Sequence, residues 1–251
     1  MKYLKTSDIA KAAGAHPNTV RLYIEWGFLP PVPRDKNGYR MFTEEHLDQM
    51  CLARSAFRCQ FCVADIRKSI TGIVTTSAQG DLEEALKRAH HHLELVRREL
   101  QQAEEALVVL EHWIKGTALE EADKVLKRNE AAAVVGISVD VLRNWERNGL
   151  IEVPRNPVNG YRMYTQNIIN RMKVVRTLRG ANYSMMAILR MMTYIDSGKK
   201  ENLRKVVDTP GPDEDIVYAT DKWISSLLET EKQAEELIEM LEKMIAKRKK
   251  K

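Results

Sequence analysis

Asn37-Gly38-Tyr39-Arg40-Met41-Phe42-Thr43 returns as Asn159-Gly160-Tyr161-Arg162-Met163-Tyr164-Thr165, with six of seven residues unchanged. The correspondence runs outward without a gap, at a constant offset of 122, from Leu4 and Leu126 to Ile66 and Ile188. One small module is therefore used twice. In each copy an Asn-Gly pair between short polar and apolar segments predicts a tight hairpin. An aromatic and an arginine follow it, which suits a hairpin that probes a phosphate backbone.

Upstream of the first hairpin, Ser7-Asp8-Ile9-Ala10-Lys11-Ala12-Ala13 has a capping residue and an acid in its first turn, then good helix formers up to Gly14. His16-Pro17-Asn18-Thr19-Val20-Arg21-Leu22-Tyr23-Ile24-Glu25-Trp26 places proline at a first helical position and stops at Gly27. Two short helices joined at a glycine make a helix-turn-helix, whose second helix lies in a DNA major groove. His16, Asn18, Thr19 and Arg21 are then expected to face DNA. The prolines of Phe28-Leu29-Pro30-Pro31-Val32-Pro33-Arg34 enforce an extended path into the hairpin, which becomes a wing. Thr43, Glu44 and Glu45 start a third helix with Leu47, Met50, Leu52 and Phe57 inward. A break near Cys59 to Cys62 precedes a fourth through Val63, Ile66 and Ile70, with a link from Thr71 to Gly80.

The charge distribution supports a polyanion partner. Residues 1 to 80 carry 11 basic against 7 acidic side chains and residues 124 to 200 carry 14 against 5, whereas the remaining segments carry 15 against 23. Positive charge sits on the repeated module, the pattern of a nucleic-acid-binding unit on an acidic scaffold.

The order helix-turn-helix, a segment of the type Arg-x-Tyr-x-x-x-Gly-Phe-Leu, a Pro/Arg wing ending Gly-Tyr-Arg, and a long helix resembles the mercury-resistance-regulator (MerR) family of bacterial transcription regulators. The second copy, Leu142-Arg143-Asn144-Trp145-Glu146-Arg147-Asn148-Gly149-Leu150-Ile151, keeps the family's glutamate after the aromatic, where the first has Ile24. The resemblance implies that the recognition-helix arginines Arg21 and Arg143, the aromatics Tyr23 and Trp145, and the wing pairs Tyr39-Arg40 and Tyr161-Arg162 hold DNA, mainly through phosphates; packing against the wing is the competing role for Tyr23 and Trp145. Arg34 and Lys36 in the first wing, Arg155 and Asn159 in the second, and Ser138 and Asn144 on the second recognition helix complete the expected DNA contacts. Asn18 against Asp140 implies that the two modules read different bases.

From Leu82 an apolar residue recurs in strict four-three alternation to Ile114, which predicts a coiled-coil helix. A comparable series runs from Ile216 to Met244. In the family such a helix pairs antiparallel with that of a second subunit. Here the resemblance, with a short linker, implies a pseudo-dimer in one chain; a true homodimer with four modules is the alternative.

The expected architecture is mainly α: a winged helix-turn-helix domain over 1–80, a coiled-coil helix over 81–115, a linker over 116–126, a second such domain over 127–214, and a second coiled-coil helix with a frayed basic tail over 215–251. No apolar run reaches the length of a membrane span, and the first residues lack a signal-peptide stretch, so a cytoplasmic location is expected.

Candidate sensing groups are few. Cys59-Gln60-Phe61-Cys62, with Cys51 upstream, offers one Cys-x-x-Cys, but zinc takes four ligands and no second pair exists. The repeat counterparts Ala181 and Ser184 imply a small buried position and a helix cap, so no metal and no cofactor is expected. His90-His91-His92 should spread over the outer faces of the long helix. Met185, Met186 and Tyr194, with Trp113 and Trp223, would form the apolar wall of a small-molecule effector site, against the alternative of plain core. No Gly-rich phosphate loop or acid-base pair suggests an enzyme. The expected partners are double-stranded promoter DNA and, by resemblance, RNA polymerase.

Overall fold

Each module is assembled from short helices that cannot bury an apolar face alone, and a hairpin wing ties them together. The computed structural model describes residues 3–58, 64–116, 125–199, 202–209 and 222–250. Among them the chain divides into two compact units, residues 1–98 with 227–251, and residues 99–226.

In the first unit, α1 (Thr6–Ala12) and α2 (Pro17–Glu25) form the helix-turn-helix. Capping of α1 falls to Asp8, whose carboxylate accepts the Lys5 N–H at 2.9 Å, rather than to Ser7. His16 caps α2, its Nδ1 accepting the Asn18 N–H at 3.2 Å. Helix α3 (Glu44–Ala56) buries Met50 and Leu52 beneath them. Gln49 binds this layer together: its amide donates to the carbonyls of Phe28 and Val74, each at 3.0 Å, and its oxygen accepts from the Ser77 hydroxyl at 2.7 Å.

Helix α4 (Ala64–Ala78) is longer than the sequence suggested. Thr71 to Ala78 continues the helix instead of forming a link, because Ile73, Val74, Ser77 and Ala78 are all buried; their burial outweighs the low helix propensity of Thr75 and Thr76. Helix α5 (Leu82–Gly116) follows. Its buried face is wider than a coiled-coil seam, since Ala85 and His92 join Leu82, Ala89, Leu93 and Val96. His92 thus departs from the expectation that all three histidines are solvated: it is fully buried against α4, with Nδ1 2.6 Å from the Ser69 hydroxyl, while His90 and His91 are exposed.

The last helix, α11 (Trp223–Lys249), brings Ala234, Leu237, Ile238 and Leu241 into the same core. Arg97 pairs with Glu231 and Glu235 at 2.7 and 2.8 Å, Arg58 with Glu236 at 2.6 Å, and Lys249 with Glu83 at 3.3 Å. The described part of the terminal basic run, residues 247–250, is not frayed. Lys247 reaches Asp48 at 2.8 Å and Arg248 donates to the Gly80 carbonyl at 2.6 Å, so partners on α3 and at the α4–α5 junction hold it in helix to Lys249. Ile216 and Thr220, the start of the expected second series, lie outside the described residues.

The second unit repeats the plan with α6 (Arg128–Val135), α7 (Val139–Arg147), α8 (Gln166–Gly180) and α9 (Met185–Asp196). Arg171 replaces Gln49, donating to the Leu150 carbonyl at 2.9 Å and binding Asp196 through both its terminal nitrogens. Ala181 is buried, and Ser184 caps α9 by accepting the Ala187 N–H at 2.9 Å; their counterparts Cys59 and Cys62 lie outside the described residues. Tyr183 is buried against α5, donating to the Ala103 carbonyl at 3.1 Å, and desolvation raises its phenol pKa. A short helix, α10 (Leu203–Val207), follows α9, anchored by Arg204 to Glu104 at 2.7 Å.

Candidate nucleic-acid interface

The wing of each module is a hairpin held by isolated antiparallel bridges, Arg34 with Arg40 and Arg155 with Arg162. Its outgoing arm returns to the start of the module, pairing Phe42 with Leu4 and Tyr164 with Leu126. Gly38 and Gly160 stand at the turns with φ of +81° and +71°, values that side chains rarely adopt and that explain the Asn-Gly signal.

The loops are nevertheless unequal. In the first wing Asp35 N–H donates to Tyr39 O at 2.8 Å, enclosing Lys36, Asn37 and Gly38. In the second, Asn156 N–H donates to Tyr161 O at 2.7 Å, enclosing Pro157, Val158, Asn159 and Gly160. The incoming arm compensates. Met41 pairs with Pro33 but Met163 with Pro154, so Arg34 corresponds to Arg155 and not to Asn156. The gapless alignment is corrected here: one residue is lost before the second wing and regained at its tip, which restores the offset on either side. In both wings the first arginine donates to the turn glycine carbonyl, Arg34 to Gly38 at 3.0 Å and Arg155 to Gly160 at 3.2 Å.

Beside each wing lies the second helix of the helix-turn-helix. On α2, His16, Asn18 and Arg21 are exposed and Thr19 is half-buried; on α7, Ser138, Arg143 and Asn144 are exposed. Lys36, Tyr39, Asn159 and Tyr161 are exposed on the wings, while Arg40 and Arg162 are half-buried. Tyr23 and Trp145, expected either to hold DNA or to pack, are largely enclosed. They are 6% and 4% exposed, because their position on each helix faces the module interior. Tyr23 stacks edge-on to Phe28 and Phe57 in an aromatic cluster, which supports the packing alternative.

The charges around the two recognition helices are not equivalent. Arg21 donates to the neutral Asn18 side chain at 3.2 Å, whereas Arg143 is ion-paired with Asp140 at 3.0 Å. Glu146, where the first module has Ile24, accepts from Arg162 at 2.6 Å and Arg128 at 3.4 Å and receives a short hydrogen bond from the Tyr164 hydroxyl. Burial, then the Glu146 contact, raises the Tyr164 pKa. Several basic groups of the second module are structural: Arg171 is committed to Asp196, Arg176 donates to Val135 O at 2.7 Å, and Arg179 donates to Tyr183 O. The electrostatic footprint is thus narrower than the basic count suggests.

Lys127, Arg128 and Asn129 were missed by sequence reasoning. They open α6 and line, with Arg155, Tyr161 and Arg162, a groove of about 810 Å³ between this helix start and the wing. Basic side chains there add to the positive charge of the helix N-terminus, an arrangement suited to a phosphate. The sequence signal was the Lys-Arg pair at the cap of α6, which only the return of the wing to Leu126 brings beside Arg162.

The model of the MerR HTH family of regulatory proteins matches twice, at residues 4–72 and 126–195, more than half of the chain. The chain belongs to the MerR HTH family. The HTH-type transcriptional regulator CueR of Escherichia coli O6:H1 is 38% identical over 58 residues, 23% of this chain and 43% of that protein. A probable heavy metal-dependent transcriptional regulator of Haemophilus influenzae is 31% identical over 72 residues, 29% of this chain and 56% of that protein. CueR of Vibrio cholerae O395 is 26% identical over 111 residues, 44% of this chain and 78% of that protein. The chain therefore spans less than half the length of the first of these MerR relatives. No solved structure matches.

Among the described residues no group of three or more His, Cys, Asp or Glu side chains could hold a metal ion, and no helix is long and apolar enough to cross a membrane. Cys51 is half-buried, and burial raises its thiol pKa. Of the expected effector residues, Trp223 is buried, Trp113, Met185 and Tyr194 are half-buried, and Met186 is 49% exposed. The indole nitrogens of Trp113 and Trp223 are both buried without a hydrogen-bond partner among the described residues.

Proposed function

We propose that this member of the MerR family is a sequence-specific transcription regulator that binds promoter DNA through both modules and distorts the spacer for RNA polymerase. The observation that carries the reading is the recurrence, within one chain of this family, of an exposed polar helix face beside a wing bearing Arg and Tyr. On α2 the face is His16, Asn18, Thr19 and Arg21 beside Arg34, Lys36, Tyr39 and Arg40; on α7 it is Ser138, Arg143 and Asn144 beside Arg155, Asn159, Tyr161 and Arg162. Guanidinium and phenol groups on the wing fix register on phosphates, and the differing helix residues supply base readout. Distortion of flexible base steps then converts binding energy into a change of promoter shape.

The domain plan has a coiled-coil helix after each module and a linker between them. The contact order supports an intramolecular antiparallel pair: Glu83 meets Lys249 while Arg97, further along α5, meets the earlier Glu231 and Glu235. One chain then offers two unlike modules to two unlike half-sites in the cytoplasm. Light scattering is expected to give a monomer; a stable chain pair at low concentration would favour the four-module homodimer.

The unpartnered indoles of Trp113 and Trp223 support an effector site beside Met185, Met186 and Tyr194, tested by tryptophan fluorescence against a panel of lipophilic cations. Footprinting on fragments recovered by genome-wide binding, followed by transcription in vitro with and without ligand, tests the function as a whole. Binding and bending with no effect on transcription would favour an architectural DNA-bending protein instead.

A further inference from the structure

We propose that the second wing, unlike the first, works as an apolar minor-groove reader, with Pro157-Val158 packed against base edges and sugars. The inference rests on the DNA-binding reading above and adds a division of labour between the wings. Val158 is 92% exposed, the most exposed large apolar side chain among the described residues. It stands at the crest of a loop one residue longer than its counterpart, where the first wing presents Lys36.

The crest is also fixed in shape. The Asn156 side-chain oxygen accepts the N–H groups of Val158 at 2.8 Å and Asn159 at 3.3 Å, and the Asn159 oxygen accepts Tyr161 N–H at 3.0 Å. Gly160 N–H donates to Asn156 O at 2.8 Å, and Arg155 braces the Gly160 carbonyl from outside. Little conformational freedom is then lost on contact.

Charge complementarity selects DNA as the occupant. The apolar crest is carried on a basic base, with Arg155, Tyr161 and the Lys127-Arg128 groove beside it. A lysine at this point can reach a phosphate, whereas proline and valine have nothing to offer one. Apolar side chains held between flanking cations enter the minor groove, where deoxyribose faces and base edges are their partners. The longer loop supplies the extra reach.

The test uses the full-length protein and its recovered operator, with 2,6-diaminopurine replacing adenine one position at a time across the flank of the second module's half-site. This adds an amino group to the minor groove and leaves the major-groove face unchanged. The expected result is one or two adjacent positions at which wild-type affinity falls roughly tenfold, a penalty reduced to less than about twofold in Val158→Lys and Val158→Ala. Because Val158 is so exposed, both variants keep the fold. A flat profile, or a penalty of full size in both variants, overturns the proposal while leaving the DNA-binding reading intact. Failure of the wild-type protein to bind any recovered fragment overturns both.

Discussion

Glu146 on α7 and Arg162 on the second wing are joined by a 2.6 Å ion pair that has no equivalent in the first module, where Ile24 replaces the glutamate. The carboxylate is only 10% exposed and also contacts Arg128 and the Tyr164 hydroxyl. It therefore locks recognition helix, wing and the start of α6 into one body. The first module solves the same problem with apolar groups, a half-buried Ile24 and a buried Phe42. Glu146→Ala leaves two guanidinium groups and a hydroxyl without their acceptor; because Arg162 is 31% exposed, the expected cost is discounted from the buried-pair value to about 2 kcal/mol. The double variant Glu146→Ile with Tyr164→Phe, which imitates the first module, is expected to recover part of that loss. Urea midpoints of wild type, Glu146→Ala and the double variant check this, and a double variant less stable than Glu146→Ala would sink the explanation.

The pairing of Arg143 with Asp140 leads to a prediction about binding. The pair is exposed and of the i, i+3 type, so it adds little stability. Its main consequence is to offset the charge of Arg143, an effect absent at Arg21, whose partner is Asn18. Asp140→Asn is expected to tighten DNA binding several-fold at low salt and to steepen the salt dependence, while Arg143→Ala lowers the slope by about one. Fluorescence anisotropy across a salt series measures both. An unchanged affinity in Asp140→Asn would mean that Asp140 already faces away from phosphate when DNA is bound.

The repeat, the helix-turn-helix and the long α5 were legible because each rests on local chemistry: glycine at positive φ, proline at a helix start, and an apolar series. What was not legible depended on residues distant in sequence. Tyr23 and Trp145 occur in stretches expected to read DNA, and only the packing of α2 and α7 shows that their rings point inward. His92 follows two solvated histidines but meets Ser69, which no helical spacing on α5 alone could reveal. Lys247 and Arg248 read as a tail until Asp48 and the Gly80 carbonyl are found beside them. The wing shift escaped because a missing residue and an extra one cancel in the offset.

Burial of His92 makes stability depend on pH. The Ser69 hydroxyl donates to Ile66 O at 2.9 Å, so His92 Nδ1–H donates to Ser69 and Nε2 is left buried without a partner among the described residues. Desolvation first, and His91 second, lower its pKa from 6.5 to about 4. The neutral ring is favoured in the folded state while the unfolded chain takes up a proton more readily. Stability is therefore complete above pH 6.5 and is lost as pH falls toward about 4. The loss due to this group should reach about 2 kcal/mol near pH 5. Urea titrations at about pH 7.5 and pH 5 are expected to show that difference, and His92→Asn, which titrates nowhere in this range, should remove it. An equal pH effect in the variant would assign the acid sensitivity elsewhere.

Gln233 presents the opposite case, a buried polar group with nothing to titrate. It lies on the inner face of α11, 1% exposed, and neither its amide nitrogen nor its oxygen has a hydrogen-bond partner among the described residues. Each unmet group keeps its desolvation cost, so an apolar side chain of similar volume should be better tolerated. Gln233→Leu is expected to raise the unfolding free energy by about 1 to 3 kcal/mol, whereas Gln233→Ala, which exchanges the polar defect for a cavity, should gain less. A buried amide in a helix pair also penalises alternative registers, so the leucine variant should associate more readily with further helices. Chemical denaturation gives the first quantity and light scattering over a concentration series the second. A leucine variant less stable than wild type would show that the amide is satisfied in solution, by ordered water or a shifted rotamer, and that α11 is held by more than its apolar face.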